Sequence, residues 1–169
     1  MHDAVEITHL LPKDWEQYKE LRLKGLKEEP QAFGESLKSA LSKTDKDWQD
    51  KLQQVLEGKS WLVFARVDGV LVGMLEADIH SDEPEKVWLH ATWVNKESRR
   101  KGIAKKLMEK ILQEISSSNA PRIVKLQVNQ VQTPAVNLYK EFGFKIIAEE
   151  KFIAGNNELA NDFLMEKHL

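Results

Sequence analysis

The sequence predicts one α+β domain, a mixed sheet of about seven strands carrying four helices. Three observations lead to it. Hydrophobic periodicity orders the elements β, α, α, β, β, β, α, β, α, β, β, a meander interrupted by helical crossovers. Asp68-Gly69 lies between two runs of β-formers and marks a two-residue hairpin turn. Arg99-Arg100-Lys101-Gly102-Ile103-Ala104 sets three cations and a glycine between a strand and an amphipathic helix, an arrangement suited to an anion.

In chain order, residues 5–10 form a first strand. Pro12-Lys13-Asp14 opens a helix to about residue 27, with Trp15, Tyr18, Leu21, Arg22 and Leu26 on one face, and Glu29-Pro30 closes it. Residues 44–57 form a second helix, apolar along Trp48, Leu52, Val55 and Leu56, with Gly58 as its stop. From Ser60 the pattern turns to strands, over residues 61–67, 70–79 and 86–94. After Gly102 a third helix carries Ile103, Ala104, Leu107, Met108, Ile111, Leu112 and Ile115 on one stripe. Pro121 precedes a short apolar strand over residues 122–128. Thr133 as N-cap, Pro134 as first helical residue and Gly143 as C-cap bound the fourth helix. Two closing strands, residues 144–154 and 159–167, join across Gly155-Asn156-Asn157.

A chain of 169 residues buries a core without disulfides, and it has no cysteine to make them. The lack of cysteine also removes thiol catalysis and thiolate metal sites, and no metal is expected. No apolar run reaches the length of a membrane span, and Met1-His2-Asp3-Ala4 lacks the basic-then-apolar order of a signal peptide, so a cytoplasmic protein without membrane partners is expected. The net charge of −2 speaks against a general nucleic-acid binder. Residues 96–110 nevertheless carry seven Lys or Arg against two acids, a local +5 that leaves about −7 on the rest. Such a cluster in an acidic protein suits a small polyanion.

Gly102 sits at a helix N-terminus, where the first N–H groups lack intrahelical partners and the macrodipole is positive. A phosphate is held there by main chain and by flanking Arg and Lys. The stretch contains neither Gly-x-Gly-x-x-Gly nor Gly-Lys-Ser/Thr, so the dinucleotide-fold and phosphate-loop NTPase readings fail.

With Arg99-x-x-Gly102-x-Ala104 followed by Ala135-x-x-Leu138-Tyr139-x-x-x-Gly143-Phe144, the chain resembles the GNAT superfamily of acetyl-CoA-dependent N-acetyltransferases. Leu21-Arg22-Leu23-x-x-Leu26 and Pro30-x-Ala32-Phe33-Gly34 resemble the first helix and following loop of small members. The resemblance covers nearly the whole chain, most specifically residues 88–144, and implies a fold whose fourth and fifth strands splay to form the CoA cleft.

It also implies roles. The backbone near Trp93 and Val94 would run beside the pantetheine arm and polarise the thioester carbonyl. Arg99, Arg100, Lys101, Gly102, Ile103, Ala104 and Lys105 would bind the pyrophosphate, and Asn129 and Gln132 would add cofactor contacts. Tyr139 would be the general acid for the departing thiolate, its phenol keeping its proton at neutral pH because its ordinary pKa is about 10. Spacing alone favours Ala135, Leu138, Tyr139 and Phe142 as core, and the resemblance reverses that preference for Tyr139.

A general base is less evident. Family members carry a Glu at the position of Trp88 or at that of Gln127, and this chain has neither. His90 is the base candidate, Glu76, Asp78 and His80 are further ones, and a water chain would also serve. Phe33, Trp88 and Trp93 suit either an acceptor pocket or sheet packing. The implied reaction is acetyl transfer to an amine: a small amine, polyamine, amino acid or peptide. The missing carboxylates leave a non-catalytic acyl-CoA-binding module as the alternative. Many members dimerise, which leaves a homodimer open.

Overall fold

The chain, in a computed structural model that describes residues 4–154 and 156–169, runs β1 (Val5–Thr8), α1 (Trp15–Glu28), α2 (Leu37–Leu41), α3 (Asp45–Leu56), β2 (Ser60–Val67), β3 (Val70–Asp78), β4 (Lys86–Val94), α4 (Ile103–Ser116), β5 (Ile123–Asn129), α5 (Thr133–Glu141), β6 (Lys145–Ile153) and β7 (Leu159–His168). Met1, His2 and Asp3 of the N-terminal reading and Gly155 of the closing turn lie outside the described residues. No helix among the described residues is long and apolar enough to cross a membrane.

The strands form one open sheet in the order β1-β2-β3-β4-β5-β7-β6. All neighbours are antiparallel except β4 and β5, which are joined by the α4 crossover and run parallel. Between β2 and β3, Asp68 and Gly69 both take positive φ, 49° and 81°. That is the twist-matched turn such a hairpin needs.

Alternation along the strands feeds two cores. On one face Val63, Leu75, Val87 and Leu126 pack against Ile103, Leu107, Met108, Ile111 and Ile115 of α4. On the other, Leu62, Phe64, Met74 and Trp93 meet Tyr18, Leu21 and Leu26 of α1 and Trp48 and Leu52 of α3. The sheet is therefore covered on both faces, which explains why its central strands read as near-continuous apolar runs.

Local departures from the sequence reading have local causes. Among the described residues five α-helices form rather than four: α2 is a single short helix capped by Ser36, whose Oγ accepts from the Ser39 N–H at 3.1 Å. Pro12–Asp14 is a 3₁₀ turn ahead of α1. β1 ends at Thr8 because Leu10 turns into the α1–α3 core. Thr133 is the first residue of α5, with Gln132 in the cap position. Gly143, at φ 86°, closes α5: its N–H bonds Lys140 C=O, and the Phe144 N–H bonds Tyr139 C=O.

The position of the site follows from β4. Its pairing with β5 is confined to Lys86↔Ile123, Val87↔Val124 and Trp88↔Lys125. Toward their C-terminal ends the two strands part. On its other edge β4 pairs Glu76↔His90 and Met74↔Trp93, so Ala91 and Thr92 stand where β3 offers only Leu75. Ala91 has φ 55°, and this bulge bends β4 where it leaves β5.

Candidate active site

Where β4 and β5 separate, a cleft of about 1360 Å³ opens. It is larger than most small-molecule pockets, which run to roughly 1,000 Å³. Its walls are β4, the N-terminus of α4, α5, the loop after α1 and strands β5 to β7. That loop reaches across the opening, since a Cβ on Gly34 would lie 3.7 Å from the Phe152 ring of β6.

The cationic end is built on Gly102. It has φ 72°, caps α4, and a Cβ there would meet nothing within 4 Å. The first intrahelical bond runs from Lys106 N–H to Gly102 C=O. The N–H groups of Ile103, Ala104 and Lys105 therefore have no intrahelical acceptor, and all three residues line the cleft. Arg99 and Arg100 line it too, as do Trp93, Val94, Asn129 and Gln132. Lys101 is exposed on the same loop and is not among these lining residues.

Not every predicted cation is aimed at a ligand. Arg99 Nε donates to Val94 C=O at 2.9 Å, and its Nη2 lies 2.9 Å from Glu29 Oε2. Arg99 thus ties the loop to the end of β4 and to Glu29, the residue that follows α1. Lys105 Nζ pairs with Glu141 Oε1 at 2.5 Å across to α5. Asn129 Oδ1 accepts from Val131 N–H, holding the turn between β5 and α5.

Tyr139 is 6% exposed and lines the cleft. Its ring meets Phe144 edge-on at 6.0 Å. Burial raises the phenol pKa above its ordinary value, partly offset by a hydrogen bond with the Thr92 side chain. Thr92, placed by the β4 bulge, is a cleft residue that sequence reasoning did not single out. Only the bulge brings it there, and Ala91, a poor residue for positive φ, gives no local sign of one.

Around His90 the structure gathers all four base candidates, Glu76, Asp78, His80 and His90; His80 and His90 line the cleft, while Glu76 lines a smaller pocket beside it with Arg22, Lys51 and His90. His90 Nε2 lies 2.9 Å from Asp78 Oδ2, and its Nδ1 lies 3.9 Å from Glu76 Oε2. His80 Nε2 is 3.1 Å from Asp78 Oδ1. Burial alone would lower the His90 pKa; Glu76 and Asp78 more than reverse this, and the imidazole lies above its ordinary value. Burial likewise opposes ionisation of Glu76, yet His90, Lys51 and Arg22 hold its carboxyl below the usual range. Arg22 also binds Glu35, with Nη2 3.1 Å from Oε2.

Phe33 and Trp93 are core residues with an edge on the cleft, each 2% exposed. A Cβ on Gly25 would stand 2.9 Å from Phe33 and 3.2 Å from Trp93, so α1 needs glycine there for the rings to close. Trp88, also in the cleft, donates its indole N–H to Glu83 at 2.9 Å. Gln127 gives its amide to Glu150 Oε2 at 2.8 Å. Beside it on β7 lies Asp162, 5% exposed, facing the cleft with Oδ1 unpaired. Burial, then Glu150, raises its pKa. No motif marks Asp162; its pairing with Asn129 and Glu150 across the sheet brings it in.

The model of the Acetyltransferase (GNAT) family matches residues 23–144. No curated protein matches the sequence. Among solved structures, the chain is similar to the GNAT-family acetyltransferase of Streptococcus pneumoniae, with a TM-score of 0.83 at 19% identity over 98% of this chain and 100% of that one. It is similar to yncA of Salmonella typhimurium, a putative acetyltransferase solved with its cofactor acetyl-CoA, with a TM-score of 0.81 at 12% identity over 98% and 94% of the two chains. PaiA N-acetyltransferase of Thermoplasma acidophilum, solved with coenzyme A, gives 0.71 at 20% identity over 98% and 99%. At these identities the neighbours speak for the fold, an open seven-stranded sheet with helices on both faces. The family model speaks for descent, and its match takes in the splayed strands, the α4 N-terminus and Tyr139: the chain belongs to the GNAT family of acetyltransferases.

Proposed function

We propose that the protein transfers the acetyl group of acetyl-CoA to a primary amine by direct attack. The observation that carries this reading is the splay of β4 from β5, with the open N-terminus of α4 at one end and the buried Tyr139 phenol on its wall. The N–H groups of residues 102–105, with Arg100 and Lys101, suit the pyrophosphate, while Arg99 holds the loop in shape. Backbone at Trp93 and Val94, past the bulge, suits the pantetheine arm and the thioester carbonyl. As the amine nitrogen bonds to the carbonyl carbon and the C–S bond breaks, Tyr139 gives its proton to the sulfur. The amine's own proton leaves through His90 or through water.

Asp162 supports an amine acceptor. A buried carboxylate oxygen without a partner is costly unless a donor arrives, and an ammonium or amine N–H is such a donor. The neighbouring structures fit the same reading: yncA was solved with acetyl-CoA and PaiA with coenzyme A. A second reading, a non-catalytic acyl-CoA-binding module, is favoured by one observation. The positions where relatives carry a base hold Trp88 and Gln127, and Gln127 is spent on Glu150.

Two measurements decide. Calorimetry should show acetyl-CoA binding, and its absence at concentrations on the order of tens of micromolar rejects both readings. A screen of amino acids, polyamines, small amines and peptides, read by free thiol, should show CoA release with one class. Binding without release across the panel leaves only the module.

A further inference from the structure

Three side chains around the end of β3, none of them placed on the cofactor, converge on one point. Asp78 ends β3, His80 follows two residues later, and His90 stands across the β3–β4 ladder. A carboxylate oxygen and one nitrogen from each imidazole lie within 4.8 Å of one another. The His90 contact is a hydrogen bond, Nε2 to Asp78 Oδ2 at 2.9 Å. The His80 contact is equally close, 3.1 Å to Oδ1, yet Oδ1 is buried and has no hydrogen bond. Two imidazole nitrogens facing a carboxylate whose oxygen stays unsatisfied is an arrangement that a shared cation resolves.

The ligand set is also held in place. His80 lies flat on Trp88, the rings 5.2 Å apart and 7° from parallel. Behind His90, Glu76 faces the second ring nitrogen, the position a supporting carboxylate takes behind a metal-bound imidazole. Lys51 is the nearest opposing charge, 3.8 Å from Asp78 Oδ2, but its closer partner is Glu76.

We propose that Asp78, His80 and His90 bind a divalent transition-metal ion, zinc above all, with its remaining coordination positions open to the cleft. Two imidazoles and one carboxylate suit zinc rather than magnesium or calcium, which prefer all-oxygen shells. The site stands independently of acetyl transfer. If His90 is the base, a bound metal occupies its Nε2 and opposes turnover; that consequence alone rests on the function proposed above.

Titration of the full chain with Zn²⁺ by calorimetry should show one equivalent bound. His80→Ala, at a side chain 46% exposed, and Asp78→Asn should each weaken it at least about tenfold, in line with the loss of a ligand or its support. Circular dichroism checks that both variants are folded. His168, paired with Glu166 elsewhere on the surface, is the control, and His168→Ala should bind zinc like the parent. No zinc binding, or unchanged affinity in His80→Ala, overturns the site. Acetyl-CoA titrations of the same preparations separate the two ideas: acetyl-CoA binding without zinc binding removes the metal site alone, and the converse removes the acetyltransferase reading alone.

Discussion

Tyr139 is held by Phe144 on one side and Thr92 on another, and the desolvated phenol gives up its proton less readily to water than a free tyrosine does. It keeps that proton throughout the neutral range, so that in the reaction proposed above the proton is still there for the departing thiolate to take. Removing the hydroxyl leaves the ring and its packing in place. Tyr139→Phe should therefore lower kcat by about 10²-fold or more, the usual size of a lost general acid, with acetyl-CoA affinity within about twofold of the parent by calorimetry. Unchanged turnover would make Tyr139 a packing residue. His90 permits a test on stability instead of rate. Its folded pKa lies above the unfolded value of about 6.5, so its contribution is fully present below that pH and is lost as pH rises through the folded value. Glu76 and Asp78 have lowered folded values, so theirs is present above about pH 4.5 and is lost as pH falls through those values. The cluster is strongest between the two limits. The Tm of the parent should exceed that of His90→Gln most clearly near pH 6, and melts at higher pH should show the gap closing; a gap that widens toward pH 9 contradicts the assignment.

The loop from β4 into α4 was legible in the sequence because its requirements are local. A helix start, a glycine able to take φ 72° and flanking cations all fall within a few residues of one another. The same is true of the Gly143 end of α5 and of the Asp68-Gly69 hairpin. Thr92 and Asp162 were not legible, since the register of β4 against β3 and of β7 against β5 and β6 puts them in the cleft. Register depends on partners far along the chain and leaves no mark at the residue itself. Even within the loop the sequence says where Arg99 is and not what it does: Val94 C=O and Glu29 take its guanidinium. Absence of cysteine likewise spoke only of thiolate sites, and the imidazole–carboxylate group of β3 and β4 lies beyond that argument. Gly102 gives a prediction that separates backbone from ligand. Gly102→Ala places a methyl in open space, so its cost is the left-handed conformation alone, about 1–2 kcal/mol, read as a fall in Tm of roughly 2–8 °C. Gly102→Glu meets the same backbone cost and adds a negative charge at the mouth. It should fold with a similar Tm and lose acetyl-CoA binding in calorimetry. Equal acetyl-CoA affinity in Gly102→Glu and parent would put the pyrophosphate elsewhere.

At the scale of the molecule, the sheet is two antiparallel blocks, β1 to β4 and β5 to β7, joined edge to edge only through the pairs at Lys86, Val87 and Trp88. Beyond Trp88 the facing edges of both strands lack each other as hydrogen-bond partners. On the proposed function, a cofactor lying in the cleft would supply partners to that edge of β4 and touch α4 and α5, as a missing strand between the blocks would. Binding to the folded state alone stabilises by about 2.7 kcal/mol at a hundredfold excess over Kd. For a chain of this size that corresponds to a rise in Tm of roughly 5–11 °C. Acetyl-CoA should produce such a rise, and hydrogen exchange should slow at residues 89–94 and 126–129, the open ends of the two strands. Adenosine 3′,5′-bisphosphate lacks the pantetheine arm. It should give a smaller rise and leave exchange at residues 89–92 unchanged, because nothing then lies along β4. If acetyl-CoA raises Tm while exchange at the strand ends stays as it was, the cofactor sits outside the splay, and the fold holds it in a way the parting of β4 from β5 does not explain.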